Sequence, residues 1–139
     1  MFFSNCIEKP PVDIVFDGTP LEIVSHIKFL GITVDNKLSW KLHIDSICKI
    51  ISRNIGIINK TKFCLPLSSL LTLYSSLILP YLNYGILVWG NTYQTLLDKL
   101  LLLQKKSLRI ICHTAYLSHT DPLFFENIDS NIYGRLFLL

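Results

Sequence analysis

The spacing of apolar residues changes near residue 40, from a period of about two to a period between three and four. Val12-Asp13-Ile14-Val15-Phe16 alternates apolar and polar positions as a half-buried strand does. Asp17-Gly18 then carries the composition of a hairpin turn, because glycine tolerates the positive φ of tight turns. Thr19-Pro20 follows at once, and a proline there is expected to delay strand pairing and lengthen the turn. Leu21 to Val24 and Ile27 to Val34 continue as strands, the second broken by Gly31. One hairpin and a third strand bury too little surface by themselves, so this sheet calls for helices or further strands beside it.

From Trp40 onward the pattern is helical. Trp40, Ile44, Ile47, Ile51, Ile55 and Ile58 recur at steps of four, three, four, four and three, and predict a helix over about 38–60. Lys49, Arg53, Gly56 and Lys60 fall on the opposite side, at i, i+4, i+7 and i+11. Pro66 suits the first turn of a second helix reaching about Tyr84, with Pro80 kinking or ending it. A third helix is expected over about 95–112, with Leu97, Leu100, Leu101, Gln104, Leu108 and Ile111 inward and Lys99, Leu102, Lys105, Lys106 and Arg109 outward. Ser118 to Asp121 would cap a short fourth helix from Leu123. The fold class is therefore α+β: a small N-terminal antiparallel β-hairpin or sheet over residues 1–36, then a mainly α-helical bundle over 37–139.

Composition narrows the class. The 139 residues suffice for one domain, and with half of them hydrophobic and 17% charged the chain is not of the disordered kind. The formal net charge of +3 permits contact with nucleic acid or an anionic surface without demanding either. What matters is that the cations gather on helices. Cys6, Cys48, Cys64 and Cys112 are scattered singly, which reads as buried reduced thiols of an intracellular protein, nuclear or cytoplasmic, and not as a disulfide frame. Cys112, His113 and His119 lack the spacing of a zinc site. Met1-Phe2-Phe3-Ser4-Asn5 has neither a basic leader nor a cleavage site, and Arg135-Leu136-Phe137-Leu138-Leu139 ends in apolar residues. Both ends read as cuts from something longer.

No charged residue occurs from Phe63 through Leu97, a length that raises a membrane span as an alternative. Pro66, Ser68, Ser69, Thr72, Pro80 and Asn83 interrupt it, and the neighbouring amphipathic helices favour a buried central helix, so no membrane partner is expected.

Several strings, in order, carry a resemblance: Lys28-Phe29-Leu30-Gly31-Ile32, then Leu38-Ser39-Trp40 with His43-Ile44, then Leu73 through Leu82, Tyr84-Gly85, Val88-Trp89-Gly90 and Leu102-Leu103-Gln104-Lys105-Lys106. Over about residues 12–128 the chain resembles the reverse transcriptase of non-LTR (LINE-type, jockey-like) retrotransposons, in the segment after the catalytic core. The resemblance implies that residues 1–36 are the end of the palm subdomain and 37–139 a helical thumb. It implies that Lys28, Phe29, Leu30 and Gly31 form a primer-grip turn. Lys49, Arg53, Lys60, Lys105, Lys106 and Arg109 would then contact the RNA–DNA template–primer duplex.

Each feature also has a plainer reading. Phe29-Leu30-Gly31 can be a core strand with a glycine bulge. Lys49, Arg53 and Lys60 can be a solvated helix face. Lys105, Lys106 and Arg109 lie near a helix C-terminus, where cations are favoured in any case. Trp40 and Trp89 read as core anchors, and Tyr74, Tyr81 and Tyr84 as buried tyrosines with bonded hydroxyls. The parent polymerase would use Mg²⁺ held by an Asp-Asp pair and a further carboxylate. This chain has no adjacent acidic pair, Asp13, Asp17, Asp35, Asp45 and Asp98 being separated, and no fingers or endonuclease constellation. The expectation is a fragment that needs the missing fingers and palm, binds no cofactor itself and does not catalyse alone. A degenerate remnant without a biochemical role is the alternative.

Overall fold

The computed structural model describes residues 15–20 and 24–112 of the chain. They contain strands β1 (Val15–Phe16), β2 (Thr19–Pro20), β3 (His26–Phe29) and β4 (Ile32–Asp35). Helices α1 (Lys41–Thr61), α2 (Leu67–Leu77), α3 (Leu79–Asn83), α4 (Ile86–Trp89) and α5 (Gln94–Ile111) follow. The α+β class is the expected one. The chain divides into two compact units, one ending at His43 and the other beginning at Ile44. The strand positions expected at 12–14 and 21–23, and the helix expected from Leu123, lie outside the described residues.

The first unit differs from its pattern reading in two places. Thr19-Pro20 does not delay pairing: Phe16 faces Thr19 and Val15 faces Pro20 across a two-residue turn. Asp17 and Gly18 both have positive φ, 49° and 73°, as a type I′ hairpin turn requires. In such a hairpin the pair next to the turn exchanges both hydrogen bonds, and the next pair, which includes Pro20, exchanges none. The missing proline N–H is therefore not needed. The run Ile27 to Val34 is likewise not one interrupted strand. It folds back at Leu30-Gly31, with φ of 46° and 83°, so that Phe29 faces Ile32 and His26 faces Asp35. Two separate antiparallel pairs result where a three-stranded sheet was expected.

Helix α1 begins three residues later than the periodicity suggested. Leu38 and Trp40 take φ of 52° and 59°, which no helix accommodates. From Ile44 on the stripe behaves as read: Ile44, Ile51 and Ile58 are fully buried, and Ile47 and Ile55 nearly so. Trp40, expected in the core, is only half-buried, because it sits in this loop and not on the stripe.

The second helix is divided. Pro80 has no N–H to give to the carbonyl of Ser76, and its ring would crowd that carbonyl. The helix stops at Leu77, Ile78 stays right-handed but with φ widened to −114°, and α3 restarts with Pro80 in its first turn. Leu70, Tyr74, Ile78 and Leu82, four residues apart, keep one buried line across the break. Tyr81 and Tyr84 fall off that line and are exposed, against expectation. Trp89 is buried, and its Nε1 donates to the Tyr84 carbonyl at 2.9 Å. Among the described residues no helix is long and apolar enough to cross a membrane, so the span considered within 63–97 has no support.

Helix α5 lies within one residue of its expected bounds. Leu96, Leu100, Gln104, Ser107, Leu108 and Ile111 form its buried side. Asn54 of α1 donates its side-chain amide to the Leu77 carbonyl at the end of α2, and Lys99 of α5 pairs with Asp45 of α1 at 3.0 Å. Three helices of the second unit are thus joined by polar contacts around an apolar centre.

Candidate nucleic-acid interface

In the first unit the expected residues are contiguous. Lys28 and Phe29 end β3, and Leu30-Gly31 is the turn itself. Phe29 and Leu30 are 66% and 73% exposed, so a large apolar surface is presented at the tip of a narrow ribbon. The bulge in a core strand is ruled out by the turn geometry. Leu30 combines two unfavourable features, an exposed apolar side chain and a left-handed backbone that costs a branched residue about 1–2 kcal/mol. Strain of this kind persists where surrounding structure fixes it, and it gathers at working sites.

What fixes the base of this hairpin was not read from the sequence. Asp35, the last residue of β4, is buried. Its Oδ1 accepts the backbone N–H groups of Lys37 and Ser39, each at 3.0 Å. Its Oδ2 accepts the Ser39 hydroxyl at 2.9 Å and the Trp40 N–H at 3.1 Å. Burial alone would raise the Asp35 carboxyl, but these four donors outweigh it and hold it below its ordinary value. The carboxylate thereby secures a loop with two left-handed non-glycine residues. The readable signal is an aspartate followed two residues on by a backbone donor, as in an Asx turn. Beside it, the Thr33 N–H of β4 donates to Nδ1 of His43 in the first turn of α1, at 3.4 Å. His43 is buried, and desolvation lowers its pKa.

In the second unit Lys49, Arg53 and Lys60 are all exposed on α1. At 100° and 1.5 Å per residue they fall within an arc of about 40° and span about 16 Å of the helix axis. Asp45, Cys48, Lys49, Ser52 and Arg53 line a shallow open groove along the same side. The Asp45 carboxylate bordering it is paired with Lys99, which limits its effect on an approaching anion. Burial and the nearby Asp45 push the Cys48 thiol up, so it is protonated at neutral pH and no nucleophile.

The α5 cations do not form the single outer face expected. Lys106 is exposed, while Lys105 and Arg109 are half-buried and Lys99 is engaged with Asp45. Among the described residues no group of three or more His, Cys, Asp or Glu could hold a metal ion. Asp35 is committed to its loop, Asp45 to Lys99, and Asp98 accepts from Gln94. The first unit thus presents an apolar tip and the second a line of exposed cations on α1, and among the described residues the carboxylates are not grouped to hold a divalent metal.

Comparison with known proteins gives the chain its relatives. The chain is 33% identical to the RNA-directed DNA polymerase from mobile element jockey of Drosophila melanogaster over 101 residues, 69% of the chain and 11% of that protein. It is 29% identical to the jockey polymerase of Drosophila funebris over 126 residues, 87% of the chain and 13% of that protein. By sequence the chain is a relative of the RNA-directed DNA polymerases of jockey-like non-LTR retrotransposons. The probable RNA-directed DNA polymerase from transposon X-element of Drosophila melanogaster is 24% identical over 108 residues, 74% of the chain and 12% of that protein. The chain therefore spans about an eighth of the length of these retrotransposon polymerases. No protein-family model matches it, and no solved structure matches it significantly.

Proposed function

We propose that this chain is the segment of a retrotransposon RNA-directed DNA polymerase that grips the template–primer, and that it is not catalytic alone. One observation carries the reading: α1 exposes Lys49, Arg53 and Lys60 along one line while its opposite side is a buried isoleucine stripe. A helix anchored that firmly holds its cations at fixed spacing, which suits the regular phosphates of a duplex. Phosphate contacts position a duplex without reading its sequence, as a polymerase copying any template requires. An RNA–DNA hybrid is close to A-form, with a wide shallow groove recognised by shape and backbone.

The turn at Phe29-Leu30-Gly31 would hold the primer end, its exposed apolar tip packing against sugar and base. Lys106, with Lys105 and Arg109 beside it, would add a second, weaker phosphate contact. The metal-binding carboxylates would come from the palm of the longer protein, and the fingers likewise.

The test is binding of the purified chain to a short RNA–DNA hybrid across a salt series, with single-stranded RNA as control. Replacing Lys49, Arg53 and Lys60 together by Gln is expected to weaken hybrid binding and to lower the salt slope by about 2–3. An unchanged slope would remove the reading. Absence of binding by a folded, monodisperse chain would leave the relationship as ancestry alone, the mark of a degenerate remnant.

A further inference from the structure

Helix α4 holds apolar side chains out of the second unit. Leu87 is 95% exposed, and Val88 beside it is exposed too. Tyr81 and Tyr84, within the six residues before Leu87, are also exposed. The local backbone fixes this arrangement. Trp89 is buried, and its Nε1 donates to the Tyr84 carbonyl. Gly85 takes a φ of 66°, and its carbonyl accepts the Val88 N–H at 2.8 Å. The Gly90 N–H returns to the Ile86 carbonyl at 2.7 Å. The short helix is tied at both ends, and Leu87 stays outside as long as the indole stays inside.

A single exposed leucine is ordinary. Here two tyrosines, a leucine and a valine are exposed within eight residues, in a stretch without a charged side chain from Phe63 through Leu97. Exposed tyrosines and absent charge are the composition of an interface centre. An apolar face without charges offers no electrostatic steering to a separate partner, and suits a lasting contact better than an encounter. The size of the relatives says where such a contact would lie. The matched stretch is 11% to 13% of each, so about seven-eighths of such a polypeptide lies outside it.

We infer that Tyr81, Tyr84, Leu87 and Val88 form the face by which this segment docks on the remainder of a longer polymerase. The occupant is an uncharged, apolar protein surface with a recess for Leu87 and carbonyl acceptors for tyrosine hydroxyls at its border. The inference rests on the reading of the chain as a polymerase segment, and not on the duplex contacts of α1.

The experiment sets the full chain beside the jockey polymerase of Drosophila melanogaster in which the matching 101 residues are exchanged for those of this chain, each with and without Leu87→Asp. In the isolated chain the variant is expected to melt with the wild type and to bind an RNA–DNA hybrid with unchanged affinity and salt slope. In the exchanged polymerase, hydroxyl-radical labelling of Tyr84 should be about tenfold slower than in the isolated chain. Leu87→Asp should restore most of that rate, since an apolar contact does not close over an unpaired carboxylate. Equal labelling in both settings, or protection that survives the variant, would overturn the docking face. So would an exchanged polymerase that unfolds where the isolated chain folds. A lower melting temperature of the isolated variant would assign the face to the chain's own residues instead. A dimer in sedimentation that the variant dissolves would assign it to a second copy, and flotation with phosphatidylcholine vesicles that the variant abolishes would assign it to lipid. Failure of the isolated wild type to bind the hybrid would overturn the phosphate-gripping reading and leave this contact standing.

Discussion

Among the described residues up to 43 the apolar side chains Val15, Phe16, Ile27, Phe29 and Leu30 are exposed, and the buried positions are Asp35 and His43. Residues 44–112 expose apolar side chains too, but there a buried apolar core exists: Ile44, Ile51, Ile58, Leu82, Leu108 and Ile111 have no measurable exposure. Backbone conformation follows the same division, since Asp17, Leu30, Leu38 and Trp40, the described non-glycine residues with positive φ, all precede the second unit. The second unit is held by removing apolar surface from water, a diffuse force spread over many contacts. The first is held by tight turns and by one carboxylate that satisfies four donors. A diffuse core loses stability in proportion to the volume removed, whereas a polar hub loses its whole arrangement at one atom.

That difference is largest at the core itself. Ile51→Ala is expected to cost about 2–5 kcal/mol, through lost transfer energy and the cavity left behind. Phe29→Ala, which removes a larger side chain from an exposed tip, should stay within about 0.5 kcal/mol. Urea unfolding followed by far-ultraviolet circular dichroism measures both. A similar cost for the two variants would mean that the hairpin tip is covered in solution.

The next effect strikes the polar hub. Asn at position 35 keeps one acceptor oxygen but turns an amide toward two of the four donors, so Asp35→Asn should cost about 2–3 kcal/mol in the loop it organises. The indole N–H signal of Trp40 reports it, with that of buried Trp89 as internal reference. Acid should act in the same direction. The folded Asp35 pKa is depressed, so its contribution is present above the ordinary value of 3.8 and is lost as pH falls through the lower folded value. His43 is also depressed, from 6.5, and its protonation removes the acceptor for the Thr33 N–H. The His43 contribution is therefore present above 6.5 and is lost as pH falls through its lower folded value, read as loosening at Thr33. A Trp40 signal unchanged by acid well below 3.8 would show that the carboxylate does not hold this loop.

The same division explains what could be read from the residues alone. The isoleucine stripe of α1 and the bounds of α5 follow from period alone, because a core-facing helix states its face every three or four positions. The break before Pro80 was legible for a similarly local reason, the absent N–H. The hairpin at Leu30-Gly31 was not: apolar and β-branched residues run through Ile27 to Val34 on both sides of it, and Leu at the first turn position lacks the Asn or Asp that marks a type I′ turn. Asp35 was passed over because its four donors are mostly backbone N–H groups, which no side-chain pattern displays. Of the candidate surface, the α1 cation line was visible as a helical repeat. The partial burial of Lys105 and Arg109 depends on how α5 is set in the second unit, which period does not specify.

The smallest effect expected is a gain, and it sharpens the contrast between the units. Leu30 occupies a left-handed position that a branched side chain takes at a cost, and Asn takes that position more readily because its short polar side chain bonds locally. Leu30→Asn should stabilise the β3–β4 hairpin by about 1 kcal/mol, read as slower amide hydrogen exchange at the paired positions from His26 to Phe29 and Ile32 to Asp35. A comparable polar substitution at a buried leucine such as Leu108 would be strongly destabilising. If Leu30 is kept for contact with a primer end, the more stable hairpin should bind a recessed RNA–DNA hybrid no better than the wild type, and less well at the recessed end. Slower exchange accompanied by tighter binding would mean that the leucine is not kept for that contact, and the strained turn would lose its standing as a working site.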